Sequence, residues 1–395
     1  MNIKSLLLGS AAAFVAVSGA RAADAVVIAE PEPMEYVRIC DTYGVGFYYI
    51  PGTETCLKVS GYLRYDIGVG SLGHQDVFDK GDIQDYINAN PGSDVLDALD
   101  DGDIDTNDTY KKRARFALRA DARSETELGT LRIYAQVNFN WDTQKVSTVT
   151  ETFDYDYTYD FSPYGWTTTA NTWALNHAYI ELGGFRVGKT DSLFSTFTGY
   201  SSGVSNDGLV AYGPFDTHQI AYSWNGGNGF NAAVALEEAN SITYTLDSYV
   251  PNVVGGIGYT GGWGGVSFVA AYDSVYEEGA FKGRIDFNAN DMISLFVMAG
   301  YDTADADLGN LNFYAPWGGS WAVWVGGAWK FNEKATMNFE VGYDDYENFS
   351  VAANVDYELV HNFHVIPEVV YTDNFDQDNA DEWGGFLRLQ ANFGG

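Results

Sequence analysis

Basic residues are scarce in this 395-residue chain: 21 Lys and Arg stand against 54 Asp and Glu. A formal charge of −33 leaves no basic surface for phosphates and excludes nucleic acid as a partner. Charged residues are only 19% of the total, and the shortage of Lys and Glu argues against helical bundles and coiled coils. The 44 glycines show no collagen period, and 46% hydrophobic residues exclude disorder. Beyond the N-terminus no apolar run approaches the ~18 residues that a spanning helix needs. The chain is instead rich in aromatics, with 28 Tyr, 24 Phe and 10 Trp, residues that favour strands.

Residues 1–22 have the layout of a secretory signal peptide. Lys4 gives the positive start, Leu6 to Val17 the apolar stretch, and Ala20-Arg21-Ala22 the small-x-small cleavage pattern. Gly9, Ser10 and Ser18 interrupt the stretch, which speaks against a retained anchor. Cleavage after Ala22 or Ala23 removes Lys4 and Arg21 and takes the net charge from −33 to −35. An exported chain with an even cysteine count predicts a disulfide between Cys40 and Cys56, within an N-terminal segment at 23–56. Two free buried thiols are the alternative.

From residue 57 to 393 the pattern has a period of two. Leu57, Val59, Leu63, Tyr65, Ile67 and Val69 alternate with Lys58, Ser60, Tyr62, Arg64 and Asp66. Leu131, Ile133, Ala135, Val137, Phe139 and Trp141 alternate with Arg132, Gln136, Asn138 and Asn140. Such segments are expected at 57–69, 112–124, 128–141, 172–182, 185–190, 217–224, 230–239, 253–260, 265–275, 281–289, 292–302, 320–331, 334–345, 349–360, 363–373 and 383–393. Most approach the ~9–11 residues that cross a bilayer as tilted strands. Connectors after even-numbered segments are short and carry Gly, Asn or Asp, as at Gly183-Gly184 and Asn290-Asp291. Those after odd-numbered segments are often long, as at 70–111, 142–171 and 191–216. A soluble sandwich has no reason to sort loop length by strand parity. The pattern predicts an all-β transmembrane antiparallel barrel of sixteen strands, with short periplasmic turns and long extracellular loops.

Aromatic placement agrees. Trp321 and Phe331 lie ten apart on one parity, about 25 Å for a tilted strand, which matches an apolar band between two aromatic girdles. Phe393, nearly terminal on the last segment, is the expected assembly signal for membrane insertion.

Several stretches resemble the general porins of alphaproteobacteria. They include Glu35-Tyr36-Val37-Arg38-Ile39-Cys40, Tyr49-Ile50-Pro51-Gly52-Thr53-Glu54-Thr55-Cys56, Ser124-Glu125-Thr126-Glu127-Leu128-Gly129-Thr130-Leu131 and Trp321-Ala322-Val323-Trp324. The resemblance extends over essentially the whole chain. It implies a sixteen-stranded homotrimeric outer-membrane porin for passive diffusion of small hydrophilic solutes and ions.

In a barrel the polar parity lines the lumen. Lys58, Arg64, Arg113, Arg115, Arg119, Arg123, Arg132 and Arg388 share that parity on four strands that closure makes adjacent, which predicts a basic wall. A solvated surface charge run is the plainer alternative. The loop 191–216 has Asp191, Asp207 and Asp216 and no Lys or Arg. The resemblance implies that it folds into the lumen and faces the basic wall at a constriction, selecting by size and charge. The negative mature charge points to mild cation preference.

Other motifs carry less. Between Asp76 and Asp108 there are eleven Asp and one base, Lys80, which reads as an acidic extracellular loop able to bridge to lipopolysaccharide through divalent ions. Asp101, Asp103 and Asp105 alternate but lack the full calcium-loop pattern. Gly199-Tyr200-Ser201-Ser202-Gly203 matches a nucleophile elbow without the strand-turn-helix it needs. Gly68 to Gly73 matches a dinucleotide fingerprint without a following helix. The five histidines have no metal-ligand spacing, and no cofactor or catalytic group is expected. Inward Tyr62, Tyr134 and Trp324 are the residues a substrate-selective channel would use, and a plugged barrel acting as adhesin or envelope anchor is the other alternative.

Overall fold

The computed structural model describes residues 38–91, 105–146, 148–153, 155–160, 166–200, 203–304 and 311–394. The expected signal peptide, and Asp101 and Asp103, lie outside these residues. The barrel strands, in chain order, are β1 (Cys56–Gly70), β2 (Lys111–Thr126), β3 (Gly129–Val146), β4 (Trp166–Leu182), β5 (Phe185–Thr190), β6 (Thr217–Asn225), β7 (Phe230–Glu238) and β8 (Asn252–Gly261). There follow β9 (Gly264–Asp273), β10 (Glu278–Asn290), β11 (Ile293–Asp302), β12 (Trp321–Asn332), β13 (Ala335–Asp344), β14 (Asn348–Val360), β15 (Phe363–Asn374) and β16 (Glu382–Phe393). Each is antiparallel to its chain neighbours, and β16 closes on β1 from Gly61↔Phe393 to Gly70↔Gly384. All sixteen expected segments are strands, and the barrel is closed.

The alternation becomes two faces. Leu63, Ile133, Ile220, Val234, Val297 and Val325 are exposed on the outside, while the opposite parity is polar. The buried core therefore lies inside the barrel, between the wall and the loops folded into it. Phe194, Val210, Tyr212, Met298, Trp317 and Trp324 form its largest cluster.

Seven tight connectors, such as residues 183–184 and 361–362, lie on one rim. Asn362 takes a positive φ of 66° in its turn. The longest connectors share the opposite rim, although those at residues 274–277 and 345–347 are short there too. The first long loop is more ordered than alternation alone suggests. His74–Phe78 pairs with Thr106–Thr109, and helix α1 (Lys80–Ala89) stands between them, capped by the Asp79 carboxylate. In the second, β3 and β4 run past the expected limits, and Thr148–Phe153 pairs with Tyr155–Asp160.

Before the barrel, Cys40 and Cys56 form the expected disulfide. Tyr48–Tyr49 pairs with Leu57 and Cys56, and buried Phe47 packs beside the disulfide. Lys58 Nζ donates to the Val45 carbonyl at 3.0 Å, and the Arg123 guanidinium lies 5.0 Å from the Phe47 ring centre. Both side chains have lumen parity, so this hairpin covers the inner wall at the short-turn end.

Candidate pore wall and constriction

Antiparallel register converts parity into rows across the inner wall. Asp66 is opposite Arg388 on one side and Arg113 on the other, and Arg113 is opposite Asp142. Charges alternate along this row. Arg388 Nε donates to Asp66 at 2.8 Å, and Arg113 Nε donates to Asp142 at 2.9 Å. Two residues along the strands, the row reads Gln390, Arg64, Arg115, Asn140. Here the guanidiniums meet only amide oxygens: Arg64 Nε donates to Gln390 at 2.8 Å and Arg115 Nε to Asn140 at 2.7 Å. Arg119 Nε likewise donates to Gln136 at 2.8 Å. The Tyr62 ring lies between them, 4.6 Å from the Arg64 guanidinium and 5.4 Å from that of Arg119. Nearer the short turns, Arg123 and Arg132 share Asp121, and Arg132 and Arg186 share Glu181.

All eight basic residues expected on the wall are therefore on four adjoining strands. The wall is not uniformly basic, because Arg113, Arg123, Arg132 and Arg388 each have a carboxylate partner. Sequence reasoning passed over Asp121, Asp142 and Glu181 as their partners. The signal was present, since Asp121 shares parity with Arg119 and Arg123. Arg64, Arg115 and Arg119 form the band without a carboxylate partner, and Lys58, at the short-turn end, donates only to the Val45 carbonyl.

The opposite wall is covered by the loop between β5 and β6. Its helix α2 (Leu193–Thr198) is held at its start by Glu237 of β7. That carboxylate accepts from Ser192 Oγ and Leu193 N, both at 2.7 Å, from Gln219 Nε2 at 2.8 Å and from Tyr314 OH at 3.2 Å. Gly256 of β8 leaves room for Phe197, whose ring stands 2.6 Å from where a Cβ would be. Farther on, buried Lys282 donates to the Tyr212 carbonyl at 2.6 Å and Trp324 Nε1 to the Val210 carbonyl at 2.9 Å. At the end of its reach the loop meets Glu368 of β15, which accepts from Asn206 N at 3.0 Å and from Asn206 Nδ2 at 2.6 Å. The loop is thus fixed from β7 to β15 and lies inside the barrel. Trp324 is fully buried beneath it and is closed to any passing solute.

The three loop carboxylates differ. Asp191 accepts from Tyr200 OH at 2.7 Å. Asp207 accepts from Tyr212 OH at 2.7 Å. Burial pushes the Asp207 carboxyl above the ordinary aspartate value of 3.8, and the hydrogen bond from Tyr212 partly offsets this. Asp216 pairs with Lys189, whose parity is outward, so it does not join the set facing the arginines. Among the described residues there is no group of three or more His, Cys, Asp or Glu placed to hold a metal ion.

A closed sixteen-stranded barrel, apolar outside, polar inside and narrowed by an inserted loop, defines an outer-membrane diffusion channel. The chain belongs to the porin subfamily, whose sequence profile matches residues 24–392. It is 46% identical to porin Omp2a of Brucella melitensis biotype 1 over 403 aligned positions, covering 100% of both chains. Its fold is similar to that of the outer-membrane channel DcaP of Acinetobacter baumannii, with a TM-score of 0.56, 17% identity, and coverage of 87% of this chain and 99% of that one. It is also similar to Salmonella typhi OmpF, solved with daunomycin, with a TM-score of 0.54, 11% identity, and coverage of 87% and 99%. The chain is a channel of the bacterial outer membrane.

Proposed function

We propose that small hydrophilic solutes and ions cross between Arg64, Arg115 and Arg119 on one side and the loop carrying Asp191 and Asp207 on the other. The observation that carries this reading is the row in which two guanidiniums meet only amides, while the neighbouring row is neutralised pair by pair. Fixed positive charge facing an acidic loop sets up a transverse field. That field orders water and penalises apolar solutes, which must displace it. The net charge of −35 left after export supports mild cation preference. The reading has no catalytic or cofactor step.

In this reading residues 1–22 are removed on export, 23–56 form an N-terminal segment clipped by the disulfide, and 57–393 form the barrel. The functional unit is a homotrimer in outer-membrane lipid, with the acidic first loop directed at lipopolysaccharide. The test is conductance in planar bilayers under a salt gradient. Stepwise openings in threes with a cation-selective reversal potential are expected. An anion-selective potential overturns the charge assignment. Folded protein that conducts nothing overturns the open channel in favour of a plugged barrel.

A further inference from the structure

Five charges at the short-turn end of the inner wall form an open chain. Arg123 of β2 pairs with Asp121 at 2.7 Å, and Asp121 with Arg132 of β3 at 2.9 Å. Arg132 pairs with Glu181 of β4 at 2.9 Å, and Glu181 with Arg186 of β5 at 2.7 Å. Register puts them on one face, since Arg123 is opposite Arg132, Arg132 opposite Glu181, and Glu181 opposite Arg186. The chain begins and ends on arginine, so three guanidiniums share two carboxylates and one positive charge is left over. Arg132 spends Nε and Nη2 on Asp121 and Nη1 on Glu181. Arg123 and Arg186 each meet a single carboxylate through Nε and Nη2, so both retain donors on Nη1.

Both ends of the chain border one cavity. It measures about 460 Å³ and is bounded by Tyr43 of the N-terminal hairpin, the turn at Gly183-Gly184 and Ser223 of β6. All three arginines line it. Aromatic rings fix their direction. The Arg123 guanidinium stands 5.7 Å from the Tyr43 ring centre, Arg132 4.8 Å from Tyr134 and Arg186 5.0 Å from Tyr179. Tyr134 and Tyr179 are themselves stacked at 5.1 Å. Guanidiniums held this way are ordered before anything binds, which lowers the cost of binding. The next carboxylate, Glu125, accepts from Tyr43 OH at 2.6 Å and Thr130 Oγ1 at 3.0 Å and does not line the cavity.

We infer that this cavity binds a small organic carboxylate, held by Arg123 and Arg186 at the two ends of the chain. A carboxylate matches the guanidinium fork and neutralises the one charge left over. The cavity has the size of a small-molecule site, far more than a bare oxyanion fills. The Tyr43 ring and the Thr130 and Ser223 hydroxyls border the remaining space and suit the body of such a solute. The site lies at the short-turn mouth, apart from the row of Arg64 and Arg115. In a channel whose net charge disfavours anions, it concentrates one class of them where the lumen opens.

The test reads binding without current, by fluorine NMR on the full chain folded in a neutral detergent. The probes are trifluorobutyrate and its uncharged isostere trifluorobutyramide. The expected result is a trifluorobutyrate line broadened severalfold more than that of the amide. Arg186→Gln, which leaves Glu181 paired with Arg132, should remove most of that difference. Ser223→Trp, which fills the cavity and keeps all three guanidiniums, should do the same, while Arg115→Gln should leave the difference in place. Arg123→Gln replaces either cavity variant if it fails to fold. Equal broadening of the two probes overturns the site. A difference that survives Arg186→Gln and Ser223→Trp overturns it too, and its loss in Arg115→Gln places the binding on the row of Arg64 and Arg115 instead. Inorganic phosphate that displaces trifluorobutyrate at equal concentration overturns the organic ligand in favour of a bare oxyanion.

Discussion

Arg64 and Arg115 stand directly opposite each other on paired strands, and neither donates to a carboxylate. Like charges in that position are destabilising, by roughly 0.2–1 kcal/mol. A wall built for stability alone would place an acid there, as the adjacent row does with Asp66. Arg115→Gln is therefore expected to leave stability unchanged or slightly raised, and to shift the reversal potential towards cations. Arg113→Gln strands Asp142 instead and should cost about 1–3 kcal/mol. Denaturant unfolding of both variants beside reversal potentials checks the pair. Loss of stability in Arg115→Gln equal to that in Arg113→Gln would show the two rows to be equivalent.

Glu237 is a positioning residue. Four donors converge on its carboxylate, two of them from the start of the inserted loop. Hydrogen bonds to a charged group contribute about 1.5–3 kcal/mol each, so Glu237→Ala removes several kcal/mol of attachment where α2 begins. The expected outcome is a folded barrel whose single-channel current flickers between levels, with Glu237→Gln intermediate. Steady current at the native level in Glu237→Ala would show that Lys282, Trp324 and Glu368 hold the loop without it.

The barrel was legible because its rules are local. Period-two alternation, turn residues and loop length sorted by parity located all sixteen strands, including the six-residue β5. The wall arginines followed from parity and closure. Three features were not legible. The partners of those arginines depend on register, and a one-residue difference in pairing would have placed Asp121 elsewhere. The loop carboxylates could not be sorted by charge alone: Asp216 pairs with outward Lys189 because the loop has already returned to the wall there, one residue before β6 begins. The order in the first loop, where Asp79 caps α1 and accepts from Asn107 at 2.8 Å, depends on contacts that an Asp-rich composition hides.

Asp207 gives a pH dependence with a definite sign. Its folded carboxyl titrates above the ordinary aspartate value of 3.8, with burial the main cause. The folded state therefore holds the proton more tightly than the unfolded one. Its contribution to stability is fully present below the unfolded value and is lost as pH rises through the folded one. Asp207→Asn should fix the loop as the protonated form does, and should stabilise the protein at neutral pH relative to the parent. The parent should lose cation preference as pH falls through this window, while Asp207→Asn should show a smaller step. Reversal potentials across pH measure both, and identical profiles would remove Asp207 from the permeation path.

The terminal strand offers the last test. The Phe393 ring lies beside Gly61, where an added Cβ would fall 2.8 Å from the ring and 2.0 Å from the Ala117 carbonyl oxygen. The same ring stacks on Phe116 at 5.9 Å between centres. Closing β16 on β1 thus requires a vacant position at residue 61 and an aromatic at 393. Gly61→Ala forces the backbone or the ring to move, and overpacking of this kind costs about 1–3 kcal/mol. Phe393→Ala removes the ring but leaves the strands free to pair. The heat-modifiable folded fraction after refolding into detergent should fall in Gly61→Ala and recover in part in the double variant, where the clash with the ring is gone. Recovery is only partial because the carbonyl clash remains. No recovery at all would mean that strand approach at Ala117, and not the fit of Phe393, limits closure.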